Sequence, residues 1–310
     1  MSREIYDMEH LPPALTEYLH SVNPWWEGRP GKPTPAFRRR MFGPALRRLD
    51  SGLAPILVLR GPRQVGKTTL QFQMIEHLLA SGVGGNRILR VQFDELPSLR
   101  GLKDPILTVA RWFENRMLGR TFNEAARAGE PAYVFFDEVQ NLPDWASQSK
   151  ALVDHHSVRM MVTGSSALRI ESGRDSLAGR IAQLDMGPLL LREIAGLRFG
   201  ETVDAAMPDN GLEPLLHIDF WKEVHRHGFR NRDIRDRAFA AFSERGGYPL
   251  VHAHADVPWP EAADQLNETV IRRAIQHDLR FGERGKQRDE HLLEEVFRLA
   301  CRYTGQSPGQ

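Results

Sequence analysis

The string GPRQVGKTT, Gly61 to Thr69, carries the strongest chemical signal in the sequence. It fits G-x-x-x-x-G-K-[ST], a pattern whose residue types suit phosphate. Glycine lets the backbone close around phosphate oxygens with its N–H groups turned inward. A helix opening at the lysine adds a dipole that favours the anion. Gly61, Pro62, Arg63, Gln64, Val65 and Gly66 are therefore expected to wrap the phosphates, with Thr69 closing the loop. Lys67 is expected to reach the β and γ phosphates, and Thr68 to ligate Mg²⁺.

Such a loop needs an acid beside it. AYVFFDE ends in Asp137 and Glu138, about seventy residues after Lys67. Asp137, at a strand tip, is expected to hold Mg²⁺ through water. Glu138 is expected to face the γ-phosphate and orient or deprotonate the attacking water. The plainer readings are a strand-end cap for Asp137 and a surface carboxylate for Glu138. VRMMVTGSS then brings Thr163, Ser165 and Ser166 to the next strand tip. Ser165 or Ser166 is the candidate γ-phosphate sensor, with Thr163 behind, and ordinary turn chemistry explains Gly-Ser-Ser equally well. Arg180, closing SLAGR, is a candidate for neutralising transition-state charge, from this chain or a neighbouring copy. A surface arginine is the simpler reading of it.

These residues need a scaffold, and the intervening segments supply one. PILVLRG, RILRVQFDE, AYVFFDE, VRMMVTGSS and RIAQLDMGPL read as five strands. KTTLQFQMIEHLLAS, residues 104–128 and WASQSKALVDHH read as helices between them. Alternating strands and helices predict an α/β fold, a parallel sheet covered on both faces. Residues 1–50 read as an N-terminal arm and linker, with a short helix near Ala14–His20, a Pro- and Gly-rich piece and a basic helical stretch over 36–50. Trp25 and Trp26 in the arm predict that it lies on the body. The core is expected at 51–196, an insertion or connector at 197–235, and a helical lid at 236–310.

Composition excludes some classes. The 310 residues carry 41 basic and 40 acidic side chains, a net charge of +1, so nucleic acid or anionic lipid would need a local patch. Cys301 is the only cysteine, so no internal disulfide forms. No apolar run approaches the ~18 residues of a membrane span. The N-terminus is charged and lacks a signal-peptide core. The expected place is the cytoplasm, with no membrane partner. The HRH at 225–227 and HAH at 252–254 are weak zinc candidates without H-E-x-x-H. TGSSA is not G-x-S-x-G, so no hydrolase triad is supported. The basic runs at Arg38–Arg40 with Arg47 and Arg48, and IRRAIQHDLRFGERGKQR, read as solvated helix faces, with nucleic acid the weaker reading.

Taken together, GPRQVGKTT, FFDEVQNLPDW, VTGSSA, SLAGR, MGPLLLREI and GGYP resemble one family. It is the family of bacterial and archaeal AAA+-type ATPases that usually carry a C-terminal domain of unknown function. The resemblance runs from about Ala36 to about Gly305. It implies strand order 5-1-4-3-2 in a P-loop NTPase core, and a helical lid that closes on ATP with Mg²⁺. It implies that Gly61, Gly66, Lys67, Thr68 and Thr69 hold nucleotide, that Asp137 and Glu138 are the acidic pair, and that Ser165 is the sensor. The proline of GGYP, Pro249, would lie near adenine, and a helix-capping turn is the alternative. No N-K-x-D string reads guanine, which also favours adenine. Family members usually continue into a winged-helix element where this chain reaches CRYTGQSPGQ, so the chain is expected to be short, truncated or differently continued. The expected function is Mg-dependent ATP hydrolysis driving a switch or remodelling an unknown protein partner, with a homo-oligomer if Arg180 acts in trans. The alternative is a slow or non-hydrolysing nucleotide-gated interaction module. A phosphotransferase would need an acceptor base, and no motif supplies one.

Overall fold

Apolar strand runs without alternation require burial on both faces, and this chain supplies two separate cores for them. In a computed structural model, residues 11–93, 99, 101–165, 177–206, 213–279 and 289–302 are described. Strands β1 (Ile56–Arg60), β2 (Ile88–Gln92), β3 (Ala132–Asp137), β4 (Val158–Gly164) and β5 (Ile181–Asp185) form one parallel sheet. Its order is β2-β3-β4-β1-β5, the expected 5-1-4-3-2 read from the other edge. Side chains alternate across the sheet. Ile56, Val58, Val134, Phe136, Met160 and Val162 enter one core. Leu57, Leu59, Phe135 and Met161 enter the other.

The flanking helices are α1 (Pro13–Val22), α2 (Phe42–Ser51), α3 (Lys67–Ala80), α4 (Pro105–Phe113), α5 (Phe122–Arg127) and α6 (Trp145–His155). Helices α2 and α3 cover one face of the sheet, and α1, α4, α5 and α6 the other. Thr121 caps α5 in a capping box with Glu124. Beyond β5 come α7 (Leu191–Phe199), α8 (Ile218–Arg230), α9 (Arg232–Arg245), α10 (Pro249–Ala253), α11 (Trp259–Leu266) and α12 (Glu290–Arg302). A small third core joins α7 to α9 through Leu189, Ile194, Ala195, Ala238 and Ala241.

The described part of residues 1–50 lies on the body, as Trp25 and Trp26 predict: Leu15, Leu19 and Trp25 are buried in the main cores. Two expectations change. The expected connector contains α8, and its boundary at 235–236 falls inside α9. The basic stretch over 36–50 is helical only from Phe42, and Arg39 is buried rather than solvated.

The arm has a clear physical task. An edge strand such as β2 exposes unpaired backbone groups. Here the arm's side chains satisfy them. Tyr18 Oη donates to Gln92 O at 2.9 Å. Asn23 Nδ2 donates to Arg90 O at 2.8 Å, and Arg90 N donates to Asn23 Oδ1 at 2.6 Å. The indoles of Trp25 and Trp26 both donate to Ile88 O, at 3.0 and 2.8 Å. Alternate residues of β2 are thus covered without a sixth strand.

Candidate functional site

In a parallel sheet every strand tip points the same way, so loops after β1, β3 and β4 meet at one end. The glycine loop turns there from β1 into α3. Gln64 and Gly66 both adopt positive φ, 62° and 94°. At Gly61 a Cβ would come within 2.0 Å of Met186 O, so only glycine fits between β1 and the segment after β5. Lys67, 5% exposed, folds its ammonium back over the loop, donating to Gly61 O at 2.9 Å and Pro62 O at 2.8 Å.

The residues after Lys67 reach the acidic strand. Thr68 Oγ1 donates to Asp137 Oδ2 at 2.9 Å. Thr163 Oγ1, from the tip of β4, donates to the other oxygen, Asp137 Oδ1. The paired hydroxyl and carboxylate oxygens of Thr68 and Asp137 are the hard donors that Mg²⁺ takes, so these residues fit that ion. Glu138 takes a left-handed backbone, φ 53°, at the end of β3. Glu138 Oε2 accepts from Ser165 Oγ at 2.9 Å and from Gln140 Nε2, which also donates to Ser165 Oγ at 3.2 Å.

Thr163 and Ser165 therefore divide their work: the first sits on Asp137, the second on Glu138. Ser166 lies outside the described residues, as does Ser176 of SLAGR. Pro249 opens α10 and lines a largely apolar cavity of about 240 Å³. Gln64, Val65, Gly66 and Thr69 line the same cavity. Tyr248, just before Pro249, has its phenol pushed up by burial. Gly247 O accepts from Leu189 N at 2.7 Å, which ties the GGYP turn to the segment after β5.

Arg180 is a correction to the reading of it as catalytic within its own chain. It precedes β5, and its carbonyl accepts from Ile56 N at the start of β1. The glycine loop follows the far end of β1, about 15 Å away at ~3.3 Å per residue. Its guanidinium instead grips Asp154 at the end of α6, with Nη2 to Oδ2 at 3.0 Å. The hydrogen bond to Asp154 raises the arginine's pKa, and that same bond lowers the carboxyl's.

Four residues escaped the sequence reading. Arg90, in β2, donates from Nη2 to Asp137 Oδ2 at 3.0 Å, with the two side chains 2% and 1% exposed. An ionised residue inside the apolar run ILRVQ is the signal that could have found it. Gln140 carries no comparable sequence signal beyond closeness to Glu138. Arg39 donates from Nη1 to Val65 O at 2.5 Å and from Nη2 to Gly187 O and Pro188 O at 2.9 and 3.1 Å. It is paired with Glu193 of α7, Nε to Oε1 at 2.8 Å. Burial acts to raise the Glu193 carboxyl, but hydrogen bonds from Arg39 and the Leu190 and Arg40 amides together hold it below its usual value. One buried pair thus joins the arm, the glycine loop and α7.

Among the described residues no helix is long and apolar enough to cross a membrane. Nor do three or more His, Cys, Asp or Glu side chains gather there as a metal-holding group.

Comparison with known proteins fits this geometry. Residues 54–195 match the family model described as an AAA domain. The chain is 26% identical over 251 residues to an uncharacterized protein of Methanocaldococcus jannaschii, covering 81% of this chain and 48% of that one. It is 23% identical over 252 residues to an uncharacterized protein of Haemophilus influenzae, covering 81% and 52%. The chain spans about half the length of these curated relatives. Among solved structures it is similar to a Walker-type ATPase of Pyrococcus abyssi, with TM-score 0.45 and 16% identity over 90% of this chain and 81% of that one. The part of the chain that is similar to an AAA domain, residues 54–195, is thus the part that carries the glycine loop, Asp137 and Glu138.

Proposed function

We propose that this chain binds ATP with Mg²⁺ and hydrolyses it. The observation that carries the reading is the convergence of Lys67, Thr68, Asp137 and Glu138 at one end of the sheet. Backbone N–H groups of the loop and the start of α3 bind the β and γ phosphates. Lys67 exchanges its contacts with Gly61 O and Pro62 O for phosphate oxygens. Thr68 and Asp137 would hold Mg²⁺, which when bound offsets phosphate charge. Glu138 accepts a proton from the attacking water, and Ser165 ties that carboxylate to the β4 tip where the γ-phosphate ends. Adenine enters the apolar cavity beside Pro249, between the core and the helices that follow α7. Those helices act as the lid, and its closure is the mechanical output toward a protein partner. A homo-oligomer would place Arg180 in trans.

A second reading has its own support. Glu138 Oε2 is held by both Ser165 and Gln140. With Oε2 engaged by two side chains, a water proton must go to Oε1 or wait until these contacts open. That favours a nucleotide-gated switch with slow turnover until a partner releases it.

The test is phosphate release and nucleotide binding by the wild-type chain beside Glu138→Gln and Lys67→Ala. The ATPase reading expects turnover in the wild type, binding without turnover in Glu138→Gln, and no binding in Lys67→Ala. Binding by the wild type with turnover no higher than Glu138→Gln supports the switch. Undiminished binding by Lys67→Ala refutes both.

A further inference from the structure

We propose that Arg90 is a positioning residue of the magnesium site, whose buried guanidinium occupies Asp137 and makes metal binding conditional on the nucleotide's phosphates. The inference rests on the ATP and Mg²⁺ reading given above.

Both oxygens of Asp137 accept hydrogen bonds. Oδ2 accepts from Arg90 Nη2 at 3.0 Å and Thr68 Oγ1 at 2.9 Å, and Oδ1 accepts from Thr163 Oγ1. Both ions of the pair are almost wholly removed from solvent. A buried pair at this distance behaves as a neutral unit toward a third charge. Arg90 is also fixed from several sides. Its Nε donates to Gln71 Oε1 of α3 at 3.1 Å, and its Nη2 to Gln92 Oε1 at 2.9 Å. Its guanidinium lies over the Phe72 ring, 4.3 Å from the centroid. Its backbone is bound on both sides by Asn23 of the arm. The guanidinium cannot swing away without breaking contacts to three elements.

A free Mg²⁺ therefore meets an ion pair where an unpaired carboxylate would attract it. Hard dications need anionic oxygen, and Mg²⁺ sheds water reluctantly. Phosphate oxygens at the glycine loop supply the missing negative charge. Asp137 is left to orient the Thr68 hydroxyl and a water, with Arg90 holding it in that pose. Arg90 thus makes the site selective for the metal–nucleotide complex over the bare ion.

The sign of one substitution separates this role from simple support. If Arg90 only braced the fold, Arg90→Gln would loosen the site and weaken metal binding. If it neutralises Asp137, the same change strengthens binding of the bare ion. Even at a dielectric of ~80, one unit charge about 5 Å from a dication corresponds to roughly tenfold or more in affinity, and a lower effective dielectric raises that factor.

Mn²⁺ binding would be followed by electron paramagnetic resonance, with and without ADP, on wild type, Arg90→Gln and Arg90→Lys, with circular dichroism to check folding. The expected result has three parts. Wild type binds Mn²⁺ tightly only with ADP, Arg90→Gln binds the bare ion at least tenfold better, and Arg90→Lys stays near wild type. Unchanged or weaker Mn²⁺ binding by a folded Arg90→Gln overturns the proposal while leaving the ATP reading intact. If Arg90→Gln does not fold, submillimolar binding of bare Mn²⁺ by the wild type overturns it, and its lack with tight binding beside ADP supports it. Failure of wild type to bind ADP under any metal condition sinks the ATP reading, and this proposal with it.

Discussion

Glu193→Ala should destabilise the whole core although it touches no nucleotide-loop side chain. Glu193 Oε1 accepts from Arg39 Nε and Arg40 N, both at 2.8 Å, and Oε2 from Leu190 N at 3.0 Å and Arg39 Nη2 at 3.2 Å. Truncation leaves the Arg39 charge buried with only three carbonyls, from Val65, Gly187 and Pro188. Breaking one side of such a buried pair costs about 3–5 kcal/mol. In a chain of this size each kcal/mol moves the melting point by roughly 2–4 °C, so the expected fall is about 10 °C. The double change Arg39→Met with Glu193→Leu removes both charges and should recover most of that loss. Acid titration adds a second readout. The folded Glu193 carboxyl is held below its usual 4.5, so its stabilisation is present above that pH and lost as pH falls through the folded value. The variant's stability should therefore fall less steeply on the acid side. Thermal melts monitored by circular dichroism from pH 3 to 8 give both results. A single-variant loss below about 1 kcal/mol, or a double variant as unstable as the sum of the singles, would refute the clamp.

Two further outcomes follow from buried polar groups. Asn23→Ala strips Arg90 N and O of their partners, at about 1–3 kcal/mol for each unsatisfied group, and hydrogen exchange should speed up at the Arg90 amide. An unchanged exchange rate there would show that the arm does not guard the edge. His252 has its pKa lowered, chiefly by burial, against the opposing hydrogen bond to Gly246 O at 2.7 Å. Its neutral form is favoured in the fold, so stability should hold above pH 6.5 and fall as pH drops below it. His252→Gln should lose that slope in urea titrations between pH 5 and 7, and a wild-type curve flat over this range would contradict it.

What the sequence made legible follows from where each signal lies along the chain. The glycine loop and its helix are local: spacing within Gly61–Thr69 sets backbone shape and charge together. Strands such as β1 and β3 were readable because burial on both faces forces apolar residues into unbroken runs, and β5, only partly buried, by its alternating apolar positions. The order of those strands came from the resemblance, since periodicity says nothing about which neighbours pair. Asp137 and Glu138 stood out because they close an apolar run about seventy residues after Lys67, in the order that a glycine loop and its acidic strand require. The left-handed turn that separates their side chains was not, because it depends on Thr163 and Ser165 arriving from β4.

Arg39, Glu193 and Arg90 share one property: each is a polar group whose partner is far away in sequence. Arg39 meets Glu193 across 154 positions, and Arg90 meets Asp137 across 47. In sequence, Arg38–Arg40 looks like a solvated face because nothing local contradicts that reading. Only the fold shows that Arg39, alone of the three, is taken inside by a carboxylate from the segment after β5. Arg90 differs, because a lone charge within a buried strand already violates the pattern that defines the strand. Such a violation is costly unless it is paired, and the acid at the tip of the adjacent strand is a partner the topology makes available. Arg90 within the buried run of β2 is thus a sequence-level pointer to the site, once strand order places β2 beside β3.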